Sequence, residues 1–210
     1  MIEPHWSCLE LLKTRGWEAR DRADDVLDSP AQFVAWTRKE GLVPAPEARR
    51  LRAAVRADPQ AIAGVVRRTR ELRTLLHRIF GRVAEDELPD DEDLKVLERT
   101  LLDADQRLAL LPDADGSISW QWNGREEGTP AEKIDQGDLD AAATRRIVGG
   151  LARSAADLLT TGELARVKIC DAHDCGWFFV DVSRNKSRRW CDMAGCGNRA
   201  KAQRYRERHG

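Results

Sequence analysis

Apolar residues recur along most of this chain at spacings of three and four, and only two stretches break that rhythm. The clearest run follows Asp58-Pro59. Ile62, Val65, Val66, Leu72, Leu75, Leu76, Ile79 and Phe80 place one continuous stripe on a long helix predicted to start at that cap signal and reach about Phe80. Two shorter helices precede it. Ser29-Pro30 supplies an N-cap with proline at the first helical position, Phe33, Val34 and Trp36 form an apolar face, and Gly41 ends the helix. Pro44 and Pro46 mark a turn, and the next helix runs from Pro46 to Ala57 with Leu51 and Val55 four apart. Ahead of both, Leu9, Leu11 and Leu12 with Trp17 form an apolar opening segment, helix or strand, that packs on the core.

Beyond the long helix, the acidic stretch Glu85–Asp93 contains Pro89 and reads as a loop that also places negative charge at the positive end of the next helix. That helix is expected to turn Leu94, Leu97, Leu101, Leu102 and Leu108 inward. From Pro112 to Gly128 the period changes. Asp115-Gly116 is a hairpin turn signal and Ile118, Trp120 and Trp122 alternate with polar residues, so two strands are predicted. A last long helix, Gln136 to Thr161, carries Leu139, Ala142, Ile147, Leu151, Ala155 and Leu158. Gly162 closes it, and Glu163 to Ile169 leads to the first of four clustered cysteines.

An apolar fraction of 41% with 34% charged residues describes a soluble, mostly helical protein. No run approaches the roughly 18 consecutive apolar residues of a membrane span. Met1 to Trp6 has no basic region followed by an apolar stretch, so no signal peptide is expected and the cytoplasm is the expected compartment. The net charge of −1 conceals an asymmetry: residues 166–210 hold eleven Lys/Arg against five Asp/Glu, leaving 24 against 31 in the remainder. A basic end on an acidic body points to a polyanionic partner for the end alone.

That basic end holds the chemistry. Cys170 and Cys175 form one C-x4-C pair, Cys191 and Cys196 a second, and fifteen residues rich in aromatics and arginine separate them. Four thiolates within tetrahedral reach suit one Zn²⁺. Buried free cysteines or two disulfides are the competing reading, disfavoured by a reducing compartment. A catalytic zinc needs an open position, which four cysteines close; His173, inside the first pair, is read as a surface histidine and otherwise as a substitute ligand. Gly176 to Val180 reads as a short strand and Ser183 to Ser187 as a turn. So short a segment needs the metal to fold. Cys8, in an apolar context, reads as a core residue.

After Cys196 a helix is expected through Arg208. Lys201, Arg204 and Arg208 share a sector of about 60°, Arg199 and Arg206 project from nearly the opposite side, and Tyr205 and Ala202 are expected to pack on the zinc core. Arg184, Lys186, Arg188 and Arg189 join this surface, and Asn198 and Arg199 add further polar contacts. A solvated helix end with cations at its C-terminus is the competing account.

These residues resemble the CGNR zinc-finger family, whose name is spelled by Cys196-Gly197-Asn198-Arg199. Cys175 to Asp181, Ser183 to Cys191 and Met193 are also similar to that family's pattern. The body resembles the ABATE domain that precedes such fingers, through Leu11-Leu12-Lys13-Thr14-Arg15 and Arg70-Glu71-Leu72-Arg73, with Lys13 where the family pattern has asparagine. The resemblance implies a bacterial stress-related transcription regulator with the finger as DNA-binding module and the body as sensor, and zinc on Cys170, Cys175, Cys191 and Cys196.

The expected fold is therefore mainly α: a helical domain with a small β-hairpin over residues 1–165, then a small treble-clef-like zinc finger with a basic C-terminal helix over 166–210. The expected function is zinc-dependent DNA binding, with the body sensing a small-molecule effector or modulating the finger. One finger is a small interface, so a homodimer or a second contact is expected to support it. The alternatives are a small-ligand sensor or protein-interaction adaptor with structural zinc, and a thiol switch that ejects zinc on oxidation. Trp17, Trp36, Trp120 and Trp122 line a pocket in the sensor reading and pack the core otherwise. No catalysis is expected: neither G-x-x-x-x-G-K-[ST] nor H-E-x-x-H occurs, and His5 and His77 have no catalytic partner at a motif spacing.

Overall fold

The computed structural model describes residues 5–14, 25–105, 108–112, 118–122, 136–162, 164–173 and 175–209, with the backbone alone at 105 and over 108–112, 118–122 and 136–138. Five helices come first: α1 (Ser7–Lys13), α2 (Pro30–Lys39), α3 (Ala45–Ala57), α4 (Ala63–Ala84) and α5 (Asp91–Asp105). A hairpin of β1 (Leu108–Pro112) and β2 (Ile118–Trp122) follows, then α6 (Gln136–Thr160), strands β3 (Val167–Ile169) and β4 (Phe178–Val180), and α7 (Asn198–His209). Among the described residues no helix is long and apolar enough to cross a membrane.

Helix α4 is the axis of the body. Its stripe from Val65 to Val83 is buried, and it packs along α6 and also meets α1, α2, α5 and β3. Ser29 caps α2 by accepting from the Gln32 N–H at 3.4 Å, and Gly41 and Gly162 take positive φ (73° and 77°) just beyond α2 and α6. There the left-handed conformation that ends a helix suits glycine. The opening segment is helical, with Cys8, Leu9, Leu11 and Leu12 buried; Trp17 lies outside the described residues.

Several expectations change at element boundaries. Asp58-Pro59 opens a turn rather than α4: Asp58 Oδ1 accepts from Gln60 N–H at 2.9 Å, and the helix starts only at Ala63 and runs on to Ala84. Its own N-cap, Ile62, has no side chain able to accept. The cap comes from α6, where Asp140 Oδ1 accepts from Val65 N–H at 3.0 Å. On α5, Leu97 is buried and Leu101 partly buried, but Leu94 and Leu102 are 37% and 59% exposed. Leu97, Leu101 and Ala104 already form the stripe that meets the body, and Leu102 lies about 100° around the helix from Leu101. Leu108 belongs to β1, opposite Trp122, not to α5. The hairpin pairs Leu108 to Pro112 with Trp122 to Ile118 in antiparallel register; the Asp115-Gly116 turn and the Trp120 and Trp122 side chains lie outside what is described. Trp36 is half-buried against the core, stacked at 6.4 Å on Phe33.

The two body stretches singled out in the sequence meet in space. Arg73 is 9% exposed and grips both oxygens of Asp25 at 2.9 and 2.7 Å while donating to Thr14 Oγ1 at 2.9 Å. Arg70 donates to Leu27 O at 2.6 Å and Asp28 Oδ1 at 2.8 Å. Burial opposes the charge on Asp25, but hydrogen bonds from Arg73 and from the Leu27 N–H outweigh it and hold the carboxyl below its usual range. The Arg-Glu-Leu-Arg stretch thus ties α4 to the end of α1 and to the turn Val26–Asp28.

A Cβ at Gly64 would stand 2.1 Å from Asp140 Oδ2, so the carboxylate that caps α4 occupies the space a side chain needs. Gly64→Ala is expected to displace Asp140 and cost about 1 kcal/mol, the worth of a helix cap, with no further loss when Asp140→Ala is added. Urea unfolding of the two single variants and the double variant reads that non-additivity.

Candidate metal centre and basic face

Strands β3 and β4 pair antiparallel, Val167 with Val180 and Ile169 with Phe178, which brings Cys170 to the open end of the ladder. Cys170 N–H donates to Trp177 O at 2.9 Å and Cys175 N–H to Ala172 O at 3.0 Å, so the first pair sits on one tight loop closed by Gly176 at φ 63°. The second pair sits on another. Asp192 Oδ1 accepts from Ala194 N–H at 3.1 Å and Oδ2 from Gly195 N–H at 2.7 Å, and a π-turn over Met193–Gly197 runs directly into α7. Asp171 N–H donates to Arg189 O at 2.9 Å, joining the two loops.

The four sulfurs all lie within 4.8 Å of one another, with Cys191 Sγ 3.6 Å from both Cys175 and Cys196. A tetrahedral zinc with Zn–S near 2.3 Å needs sulfurs about 3.8 Å apart, so these residues fit such an ion. None of the four forms a disulfide. Cys170, Cys175 and Cys196 are buried and Cys191 is half-buried. The thiols ionise unequally: a hydrogen bond from Cys191 lowers Cys175 to about 5, while the same contact raises Cys191. Cys8 is different in kind, fully buried, with its thiol pushed up to about 12 by burial. His173 is exposed and outside the cluster.

Two N–H donors face the sulfurs. Cys191 N–H approaches Cys170 Sγ at 3.3 Å, and Arg199 Nη2 approaches Cys196 Sγ at 3.0 Å. Four thiolates on one divalent ion would carry a charge of −2, which the Arg199 guanidinium beside Cys196 would offset locally.

The fold divides the cations of this segment into two sets. Arg166 donates to Asp181 O and Ser183 O, Lys168 to Asp181 Oδ2 at 2.6 Å and to Lys186 O, and Arg188 to the carbonyls of Trp190 and Cys191 while lying over Phe179. With Arg199 these point into the segment. Arg184, Lys186, Arg189, Lys201, Arg204, Arg206 and Arg208 are exposed. Asn198 is exposed too, with its amide donating to Ala194 O at 3.0 Å. Trp190 joins the two exposed regions: the guanidinium of Arg189 is 5.7 Å and that of Arg204 5.6 Å from its ring.

Helix α7 is exposed at every position from Lys201 to His209. The expected packing of Tyr205 and Ala202 on the zinc core is corrected: Tyr205 is 66% exposed and stacks on His209, and Ala202 is exposed. The helix leaves the cysteine cluster after one turn and carries no apolar stripe to draw it back. Phe179, Trp177 and Trp190 cover the cluster instead.

Sequence reasoning missed Asp181, which is fully buried and organises the loop to Arg188. Its carboxylate accepts from Lys168 Nζ, Ser183 N–H at 2.9 Å, the Ser183 hydroxyl and Arg188 N–H at 2.9 Å. Its signal was a lone acid directly after an apolar strand in a basic segment. Burial works against its charge, but Lys168 and the Ser183 and Arg188 donors lower it from 3.8 to about 2. A lowered carboxyl stabilises the fold above its unfolded value and loses that contribution as pH falls through the folded one. Asp181→Asn is expected to cost about 2 kcal/mol at neutral pH, and the gap to the unsubstituted chain should close between pH 4 and pH 2. Urea unfolding of both chains across that range measures it.

Comparison with curated proteins returned no match. Two family models match: CGNR zinc finger over residues 166–209, and ABATE, described as "Putative stress-induced transcription regulator", over residues 7–162. With most of its length under the second model and its cysteine cluster under the first, the chain belongs to the ABATE family and carries a C-terminal CGNR zinc finger.

Proposed function

We propose that this chain is a zinc-dependent DNA-binding transcription regulator, in which the finger meets phosphates and the helical body modulates it. Cys170, Cys175, Cys191 and Cys196 hold the ion, which orders the loops that carry the exposed cations. Arg184, Lys186, Arg189, Lys201, Arg204 and Arg208 make the DNA contacts. Arg188, Arg199 and Asn198 act behind them, the first two through the bonds that tie the loops and the cluster together.

One observation carries this reading. An acidic body carries one small segment with seven exposed cations, and that segment's buried acid, Asp181, is consumed by inward-pointing partners. Helix α7 itself holds five Lys/Arg against one Glu, is exposed from Lys201 to His209, and is narrow enough to enter a major groove about 12 Å wide. The body reaches the finger through β4, whose Phe178 and Val180 belong to the body core. That shared strand is a route by which the body changes the finger.

Binding to random-sequence duplex DNA is expected to weaken steeply with salt. Changing Lys201, Arg204 and Arg208 together to alanine should reduce the slope of log K against log salt by about 2–3, near 0.9 for each phosphate no longer neutralised. An unchanged slope would place the DNA contacts elsewhere, and no binding at low salt would favour the adaptor reading.

Metal analysis should return one zinc per chain. Because β4 serves both cores, chelation should lower the thermal midpoint of the whole helical signal. A body that melts unchanged after zinc removal would show that the two parts are energetically independent.

A further inference from the structure

A cleft of about 70 Å³ lies between α1 and the finger, lined among others by Trp6, Leu9 and Lys13 on one side and Val182, Arg188 and Cys191 on the other. Roughly 10–15 Å³ of such space holds one water, so the cleft has room for a molecule the size of two waters. Cys191 is also the one cysteine of the four that is not buried, and the sulfur that stands 3.6 Å from two others. Lys13 and Arg188 set two cations at the same cleft against one carboxylate, Glu10, which also lines it and pairs with Lys13 at 2.6 Å; Arg188 is held by the carbonyls of Trp190 and Cys191. A half-buried cysteine at a cleft, with two further sulfurs near enough to close a disulfide, can be oxidised there and resolved in place.

We propose that Cys191 is an oxidation site for hydrogen peroxide, admitted through this cleft, and that its oxidation dismantles the metal centre. The inference rests on the zinc reading of the four cysteines. In the zinc-loaded chain, where coordination would have taken the proton from Cys191, its thiolate attacks one peroxide oxygen, the O–O bond breaks, and hydroxide departs beside Lys13 and Arg188, leaving a sulfenic acid. The thiolate of Cys175 or Cys196 then attacks the Cys191 sulfur, forms the S–S bond and expels a second hydroxide. Two electrons leave the sulfur pair and reduce one peroxide to two hydroxides, which become water on protonation. The ion loses two of its four ligands and is released. The loops carrying the exposed cations then lose what orders them, so a peroxide signal reaches the DNA-facing surface without any contact to the body's interior.

The zinc-loaded full chain is treated with hydrogen peroxide; zinc release is followed with a chromogenic chelator and disulfides are mapped by mass spectrometry after trapping free thiols. The first disulfide is expected to contain Cys191, joined to Cys175 or Cys196, and to appear with zinc release. Val182→Phe, which narrows the cleft, should slow release by about 5-fold at equal zinc content, and Lys13→Gln, which removes a cation from the lining without narrowing it, should slow it too. A first disulfide between Cys170 and any partner other than Cys191 overturns the proposal, as does release at an unchanged rate in both variants. A chain purified without zinc would overturn the metal reading instead, and the same mapping would still report whether Cys191 oxidises first.

Discussion

Strand β4 is three residues long and buried on both faces, and the rest of the molecule depends on that double burial. Phe178 and Val180 point into the helical core, where Phe178 meets His77 edge-on at 5.3 Å and Phe80 at 6.5 Å. Phe179, between them, points to the cysteines. Alternation along a strand sends successive side chains to opposite faces, so one short segment serves two cores that neither pattern alone would join. The cysteine-bearing loops are too small to bury much apolar surface. Here they borrow a wall from α4 and α1, and the body in return closes its lower edge with Val167, Phe178 and Val180.

Electrostatics then decides what the finger shows to the outside. Eleven cations on a short segment would repel one another if all were solvated together. The fold draws Arg166, Lys168, Arg188 and Arg199 inward onto carbonyls, onto the Asp181 carboxylate and onto a cysteine sulfur. Some of these bonds fix backbone at or beside an exposed cation: Lys168 holds the carbonyls of Lys186 and Arg188, and Arg188 holds those of Trp190 and Cys191, next to Arg189. The same residue type therefore plays two parts, and the buried members position the exposed ones. Trp190 extends this to α7 by lying beside both Arg189 and Arg204.

Much of this is legible in the chain, and what is not has a common cause. Ser29-Pro30, Gly41 and Gly162 mark helix ends because capping and positive φ are local requirements, and the x4 spacing of two cysteine pairs marks the metal site for the same reason. The start of α4 escapes a local reading because its cap, Asp140, lies 75 residues away on α6. Leu94 and Leu102 look internal because a helical pattern reports how wide an apolar face is, not which part of it meets a neighbour. Tyr205 and Ala202 look able to pack on the cluster, but the direction of α7 is set by the π-turn at Met193–Gly197.

By itself, then, the chain determined its helical periodicity, the two-stranded interruption, the two spaced cysteine pairs and the excess of positive charge at its end, since each is a local pattern of the sequence. Tertiary structure alone decided which arginines are buried, that Thr14 and Asp25 share Arg73, that Asp181 anchors the basic loop, and that the finger and the body meet along β4. Those outcomes depend on the pairing of groups far apart in sequence, where burial makes an unpartnered charge costly and only a folded chain can supply the partner.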